Sequence, residues 1–179
     1  MQSSTEQTLY DFKVGLHPIK TQAADKNIYK KTFSKIIKTL TAIANTLPGA
    51  PGYCILGVAD NDKTAELHNA EYESNPIPYS SFKITGIGKE AEKYHGDIDK
   101  LFTKIIQLIK QEPISDRDKD NISRNIFCIK YFEKDIIILK VEPDAKPSIY
   151  DGKYFVRHGS NVNEVLPENF GNLFSRFQK

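Results

Sequence analysis

The sequence predicts an α+β fold, a mixed, mostly antiparallel sheet with about three helices packed on it. Apolar stripes at helical spacing follow Thr32, Asp97 and Pro167, and each predicts one helix. Short apolar runs between them predict strands, in the order β, α, β, α, β, β, β, α. A chain of 179 residues has room for one sizeable core, so we predict a single domain over 1–179, a unit that could also be excised from a longer protein.

The N-terminal third predicts two strands with a helix between them. Leu9 to Lys13 is a short candidate strand, and residues 14–31 have loop chemistry. Thr32 can cap a helix, which should stop by Thr46 because Leu-Pro-Gly-Ala-Pro-Gly follows. The apolar run from Tyr53 to Val58 is bounded by glycine and predicts a buried strand. Residues 61–86 are polar, and we expect a long loop there with room for one short strand.

The C-terminal half predicts a helix, a hairpin, a turn and a last helix. Asp97 can cap a helix that carries the cleanest apolar stripe of the chain and ends before Pro113. Residues 115–125 are charged, and we expect a connection there. The runs 126–132 and 136–141 are close enough to form a hairpin. Asp151-Gly152 indicates a turn between two further strand-like runs, and Pro167 suits the first position of the last helix.

Composition excludes several classes of protein. The formal charge is 25 − 23 = +2, so any nucleic-acid surface must come from local clusters of Lys and Arg. Cys54 and Cys128 lie in apolar runs and are expected to be buried free thiols, which suits a reducing cytoplasm. Apolar runs are too short to span a membrane, and the N-terminus lacks the order of a signal peptide. We therefore expect a cytoplasmic protein without a membrane partner.

Three acids form a candidate metal-binding set. Glu6 and Asp11 are five residues apart near the N-terminus, and Asp60 ends the buried strand that follows the first helix. Convergent carboxylates provide the hard oxygen ligands that Mg²⁺ or Mn²⁺ prefer, and such an ion can activate water beside a phosphate. Acids at strand ends also face solvent, cap helices or pair with lysine, so spacing alone leaves the alternatives open.

Basic residues form two candidate phosphate-binding elements. The first is a helical face of Lys31, Lys35 and Lys38, preceded by Lys30, which could equally be a solvated face. The second is the end of a C-terminal strand, where arginine can bind a phosphate and the Gly-Ser pair exposes backbone donors. This segment could equally be a hairpin end that stabilises its own turn. The full predicted nucleic-acid-binding set is Lys13, His17, Lys30, Lys31, Lys35, Lys38, Lys153, Arg157, His158 and Ser160.

These segments, taken in order, resemble the AlbA-like domain of the Schlafen family. The resemblance rests on Glu6, four residues, then Asp11-Phe-Lys, on a helix ending Ala42-Ile-Ala-Asn-Thr46, and on a strand ending Leu56-Gly-Val-Ala-Asp60. A Tyr154-Phe-Val-Arg157-His-Gly-Ser160 segment completes it. Asp11 stands where glutamate is more usual, and Ile43 where phenylalanine is.

The resemblance implies a function, a metal and an assembly. In RNA-cutting members the three acids form the catalytic, metal-binding set, which corresponds here to Glu6, Asp11 and Asp60, with Mg²⁺ or Mn²⁺ as cofactor. It implies structured RNA such as tRNA, ahead of DNA, as the partner. Because the motif set occurs once, we also expect a homodimer or pairing with a second AlbA-like lobe.

Two other functions stay open on the sequence. The first is a non-catalytic DNA- or RNA-binding or regulatory module of the same fold. The second is a protein-interaction domain with vestigial acids. The chain lacks the Gly-x4-Gly-Lys-Ser/Thr arrangement of a P-loop, so nothing in it indicates ATP binding.

Overall fold

The computed structural model describes residues 6–19 and 27–178, apart from the side chains of residues 6 and 7. Within that part of the chain the fold is α+β, as predicted. The helices are α1 (Glu6–Leu9), α2 (Ile28–Thr46), α3 (Asp62–Tyr72), α4 (Gly88–His95), α5 (Ile98–Gln111), α6 (Asp116–Arg124) and α7 (Phe170–Ser175). The strands are β1 (Tyr10–Lys13), β2 (Gly52–Leu56), β3 (Val58–Ala59), β4 (Ile77–Tyr79), β5 (Phe82–Ile84), β6 (Ile126–Tyr131), β7 (Lys134–Val141), β8 (Phe155–His158) and β9 (Asn161–Glu164).

The strands form three separate sheets. The largest has the order β1-β2-β7-β6, with β1 and β2 parallel and the other neighbours antiparallel. A second, antiparallel sheet has the order β3-β5-β4, and β8 pairs with β9 in a hairpin. The predicted mixed, mostly antiparallel sheet is therefore confirmed.

One face of the largest sheet packs against helices and forms the main core. The apolar stripes of α2 and α5 meet alternate residues of β2 and β7 there. Leu40, Leu101, Ile105, Leu56 and Leu139 are all fully buried in this cluster. A small second cluster of Val156, Val165 and Leu173 joins the β8–β9 hairpin to α7. The described part of the chain contains no helix long and apolar enough to cross a membrane.

Several expected boundaries differ from the structure. The continuous strand predicted to Val58 breaks at Gly57, whose φ of 97° bends the chain from β2 into β3. The loop expected over 61–86 contains α3 and the β4–β5 hairpin, and the connection expected over 115–125 is α6. Cys54 is buried as expected, whereas Cys128 is exposed because β6 is the last strand of its sheet.

Candidate nucleic-acid interface

Asp11 lies on β1, an edge strand, where it pairs in parallel register with Cys54 of β2. Its carboxylate is 13% exposed and contacts two cations. One oxygen, Oδ2, lies 2.8 Å from Nζ of Lys13, and Oδ1 lies 3.2 Å from a guanidinium nitrogen of Arg157. The structure therefore joins one predicted metal-binding acid to two predicted phosphate-binding cations.

The Cys54 thiol lies beneath this group of charges, 3.9 Å from Oδ2 of Asp11. Burial raises the pKa of the Cys54 thiol well above its ordinary value, and the negative charge of Asp11 raises it further. Cys54 is consequently a neutral, unreactive core residue at neutral pH.

Arg157 is buried in the fold, with only 3% of its side chain exposed. Its Nε donates to the carbonyl of Gly159 at 2.9 Å, across a turn in which Gly159 has a φ of 59°. One terminal nitrogen donates to Asp11, and the other, Nη1, is buried without a hydrogen-bond partner in the described part of the chain. The arginine thus holds the end of β8 against β1, and one of its donors is left over.

The C-terminal end of α2 fixes the position of β8. The amide of Asn45 donates to the carbonyls of Ser148 and Phe155 at 2.8 and 2.9 Å, and accepts from the backbone of Ser148 at 2.7 Å. The Thr46 hydroxyl accepts from the backbone N–H of Arg157 at 2.7 Å. The Asn-Thr pair that carries the family resemblance therefore positions the strand that bears Arg157, a role that sequence analysis missed.

The lysine face of α2 leads directly to β8. Lys38 and Asn45 are seven residues apart and so lie on one side of the helix. Nζ of Lys38 lies 4.0 Å from the centre of the Phe155 ring, a cation–π contact. Phe155 and Arg157 are two residues apart on β8, so their side chains point to the same face of that strand. Cations from α2 and β1 accordingly border one face of β8.

The remaining lysines of this helix face are exposed. Lys30, Lys31 and Lys35 all have exposed side chains near the start of α2. From Lys31 to Lys38 the helix axis rises about 10 Å, enough to follow more than one phosphate. We call Lys31, Lys35, Lys38 and Lys13 the α2–β1 basic surface.

The predicted residues of the C-terminal hairpin lie on its exposed rim. His158 and Ser160 flank the β8–β9 turn, and both are exposed. The Nδ1 atom of His158 lies 3.3 Å from the side-chain amide of Asn163. Lys153, which precedes β8, pairs with Glu164 of β9 at 2.9 Å, so this acid offsets its charge.

Asp60 follows the short strand β3, and His17 follows β1. Asp60 is exposed at the end of β3, in the second sheet, and accepts a hydrogen bond from the Asn61 amide at 2.7 Å. The His17 ring stacks on Tyr94, with ring centres 4.0 Å apart, and its Nδ1 lies 2.9 Å from Oε1 of fully buried Glu90.

Glu90 holds the segment that follows β1 in place through hydrogen bonds to Leu16 and His17. No pattern in the sequence indicated this role. The same oxygen, Oε1, accepts from the backbone N–H groups of Leu16 and His17 at 2.9 and 3.0 Å. A side chain on Gly15 would collide with the other carboxylate oxygen, which lies 1.8 Å from the Cβ position. A larger residue at position 15 would therefore force this buried carboxylate to move.

Carboxylates have the donor chemistry that Mg²⁺ and Mn²⁺ take, and Asp11 and Asp60 supply it. The oxygens of Asp11 already contact Lys13 and Arg157. Among the side chains that the structure describes, no three His, Cys, Asp or Glu residues are grouped so as to hold a metal ion. The side chain of Glu6 lies outside the described residues, so the three-acid metal site stays a prediction.

The described part of the chain is an α+β domain that combines the exposed lysines of α2 with the β8–β9 hairpin that bears Arg157. The sequence model of the family described as Schlafen, AlbA_2 matches residues 6–166. The chain therefore belongs to the Schlafen AlbA_2 family, which supports a nucleic-acid-related role. The predicted resemblance is confirmed.

Solved structures support the fold. The chain is similar to the DIP2311 protein from Corynebacterium diphtheriae, with a TM-score of 0.50 and 15% sequence identity. The match covers 92% of this chain and 26% of that protein, so the chain spans about a quarter of the other protein's length. A comparison with curated proteins gave no match.

Proposed function

We propose that this domain binds structured RNA through the α2–β1 basic surface. The observation that carries the proposal is that Lys38 and the Lys13–Asp11–Arg157 group border the same face of β8. Lysine ammonium groups along a helix can follow a phosphate backbone and release its counterions. RNA, with tRNA as the first candidate, is preferred to DNA on the family resemblance.

Substituting Lys31, Lys35 and Lys38 together with glutamine tests this proposal. Loss of three phosphate contacts should weaken RNA binding on the order of tenfold or more. The plot of the logarithm of the binding constant against the logarithm of salt concentration should become less steep, by about 2 in slope. The measurement is fluorescence anisotropy with labelled tRNA across a salt series. The matched control changes Lys89, Lys100 and Lys110, which are exposed on other helices, to glutamine. Equal losses in both triple variants would contradict a localised surface.

The second candidate function is metal-dependent cleavage of the bound RNA. It is supported by the partly exposed Asp11 carboxylate at the edge of the basic surface, together with the retention of all three motif acids. In this proposal Glu6, Asp11 and Asp60 hold Mg²⁺ or Mn²⁺, and the ion, when bound, would activate water. Lys13, whose side chain is 36% exposed, would orient the RNA beside it, and buried Arg157 would hold Asp11 in position.

Asp60→Asn tests the catalytic proposal, with Asp62→Asn as its matched control. Both acids are exposed and lie two residues apart, but only Asp60 belongs to the motif. Asp60→Asn should abolish cleavage of tRNA in Mn²⁺ and weaken Mn²⁺ binding in calorimetry, while RNA affinity stays the same. Asp62→Asn should leave all three unchanged. If the wild-type protein binds RNA but does not cleave it in Mn²⁺ or Mg²⁺, the domain is a binding or regulatory module.

A further inference from the structure

The strand β6 forms an uncovered, apolar edge of the largest sheet. In the described part of the chain, its hydrogen-bonded neighbour is β7 alone. Every residue from Phe127 to Lys130 is exposed, and the large side chains of Phe127 and Ile129 are each 45% exposed. Phe132, directly after the strand, is 70% exposed. An exposed apolar edge strand is a template for pairing with another strand.

The hydrogen bonds at the start of β6 determine which of its residues face outward. The Asn125 carbonyl accepts from the backbone N–H of Lys140 on the β7 side, at 3.0 Å. In an antiparallel ladder, the backbone N–H and C=O groups of every second residue point to the same neighbouring strand. Phe127 and Ile129 are two and four residues after Asn125, so their backbone groups also point toward β7. The backbone groups of Ile126, Cys128 and Lys130 therefore point away from the sheet, into the open edge.

We propose that two copies of this chain pair antiparallel along β6, on a two-fold axis at Cys128. A two-fold axis pairs residues of one face with residues of the same face, and an axis at the middle outward-pointing residue sets every outward-pointing residue of β6 opposite another one. Cys128 is the central outward residue, and this register uses all of 126–130. The two four-stranded sheets then become one continuous sheet of eight strands.

The side chains of β6 complement those of a second copy in this register. Phe127 lies opposite Ile129 of the other copy, so apolar groups meet on the open face of the sheet. Lys130 lies opposite Ile126, and the two Lys130 residues are four positions apart, about 13 Å along the strand. That separation exceeds the Debye length of about 8–10 Å near physiological salt, so their repulsion is small. A single strand pair is a modest interface, so the dimer should depend on concentration.

The register places Cys128 opposite its own copy and therefore allows a covalent test. Hydrogen-bonded antiparallel pairs have Cα atoms about 5.5 Å apart, within the roughly 4.4–6.8 Å that a disulfide spans. Mild oxidation with copper–phenanthroline at alkaline pH should link the wild-type protein into a dimer. Cys128→Ser should not be linked, because the other cysteine, Cys54, is buried.

Ile129→Lys tests the same interface without cross-linking, and Leu166→Lys is its control. Both replace an apolar side chain that is about half exposed, at 45% and 49%, but Leu166 lies outside β6. Light scattering over a concentration series should show a dimer for the wild type and Leu166→Lys, and a monomer for Ile129→Lys. Thermal unfolding would verify that all three fold.

Three outcomes would overturn this proposal. They are a wild-type monomer at every concentration, a dimer that Ile129→Lys does not weaken, and assemblies larger than a dimer. The first would leave the β6 edge to a strand from a different protein. None of these results bears on RNA binding, which is measured separately on the α2–β1 basic surface.

Discussion

At the residue scale, the buried His68 and the partly buried His95 make stability depend on pH. His68 is fully buried, and its Nδ1 lies 2.9 Å from the Ser74 hydroxyl. Burial lowers the pKa of His68, and burial together with the nearby His17 ring lowers the pKa of His95. Glu90 acts in the opposite direction on the pKa of both histidines. Burial is the largest effect in both cases, so folding favours the neutral form of each ring.

Stability should therefore fall as the pH drops below about 6.5, the ordinary pKa of histidine. In that range the unfolded chain binds protons that the folded chain does not, so acid favours unfolding. Urea denaturation between pH 7 and pH 5 should show this slope, and His68→Gln should reduce it. His158→Gln, at an exposed position, is the matched control. An unfolding free energy that does not change over this range would contradict the account.

The residue scale also shows what the sequence could not reveal about the site. Lys31, Lys35 and Lys38 were predicted as one helix face because their spacing matches the helical period, and they do share α2. The pair of Asp11 and Arg157 joins residues 146 positions apart. Such a pair depends on which strands become neighbours, and local patterns do not contain that information.

At the element scale, the strength of the apolar pattern decided which helices could be predicted. The helix α5 begins after its predicted cap, where the Asp97 side chain accepts from the backbone of Lys100. The helix α6 buries little besides Ile122 and Asp118, so it lacks the apolar stripe on which prediction relied. The sequence feature that marks the start of α6 is its N-terminal cap. The Ser115 hydroxyl accepts a hydrogen bond from the backbone N–H of Asp118 and donates one to the Asp118 carboxylate. A serine followed three residues later by an acid therefore indicates this helix where an apolar stripe does not.

The attachment of β8 to α2 gives a prediction at the same scale. Asn45→Ala removes three buried hydrogen bonds and leaves the backbone groups of Ser148 and Phe155 unsatisfied. We expect a loss of about 2–4 kcal/mol in unfolding free energy, measured by chemical denaturation. Thr39→Ala, on the exposed side of the same helix, should change stability far less. Equal losses in the two variants would show that Asn45 does not hold β8.

At the scale of the whole molecule, the proposed pairing would set the distance between two RNA sites. The strand β1 lies at one edge of the largest sheet and β6 at the other. Pairing through β6 therefore places the two β1 strands at the far edges of an eight-stranded sheet. Seven interstrand spacings of about 4.8 Å separate them by at most about 34 Å. Two copies would then present two separate basic surfaces, one near each far edge of the joined sheet.

Lysine footprinting tests the central claim, the location of the RNA surface, most directly. The protein is acetylated briefly with and without tRNA, and modification of each lysine is quantified by mass spectrometry. Lys13, Lys31, Lys35 and Lys38 should be protected by RNA, because their ammonium groups contact phosphates. Lys89, Lys100 and Lys110 should react equally in both samples. Protection of the second set instead of the first, or equal protection of both sets, would contradict the claim that RNA binds at the α2–β1 basic surface.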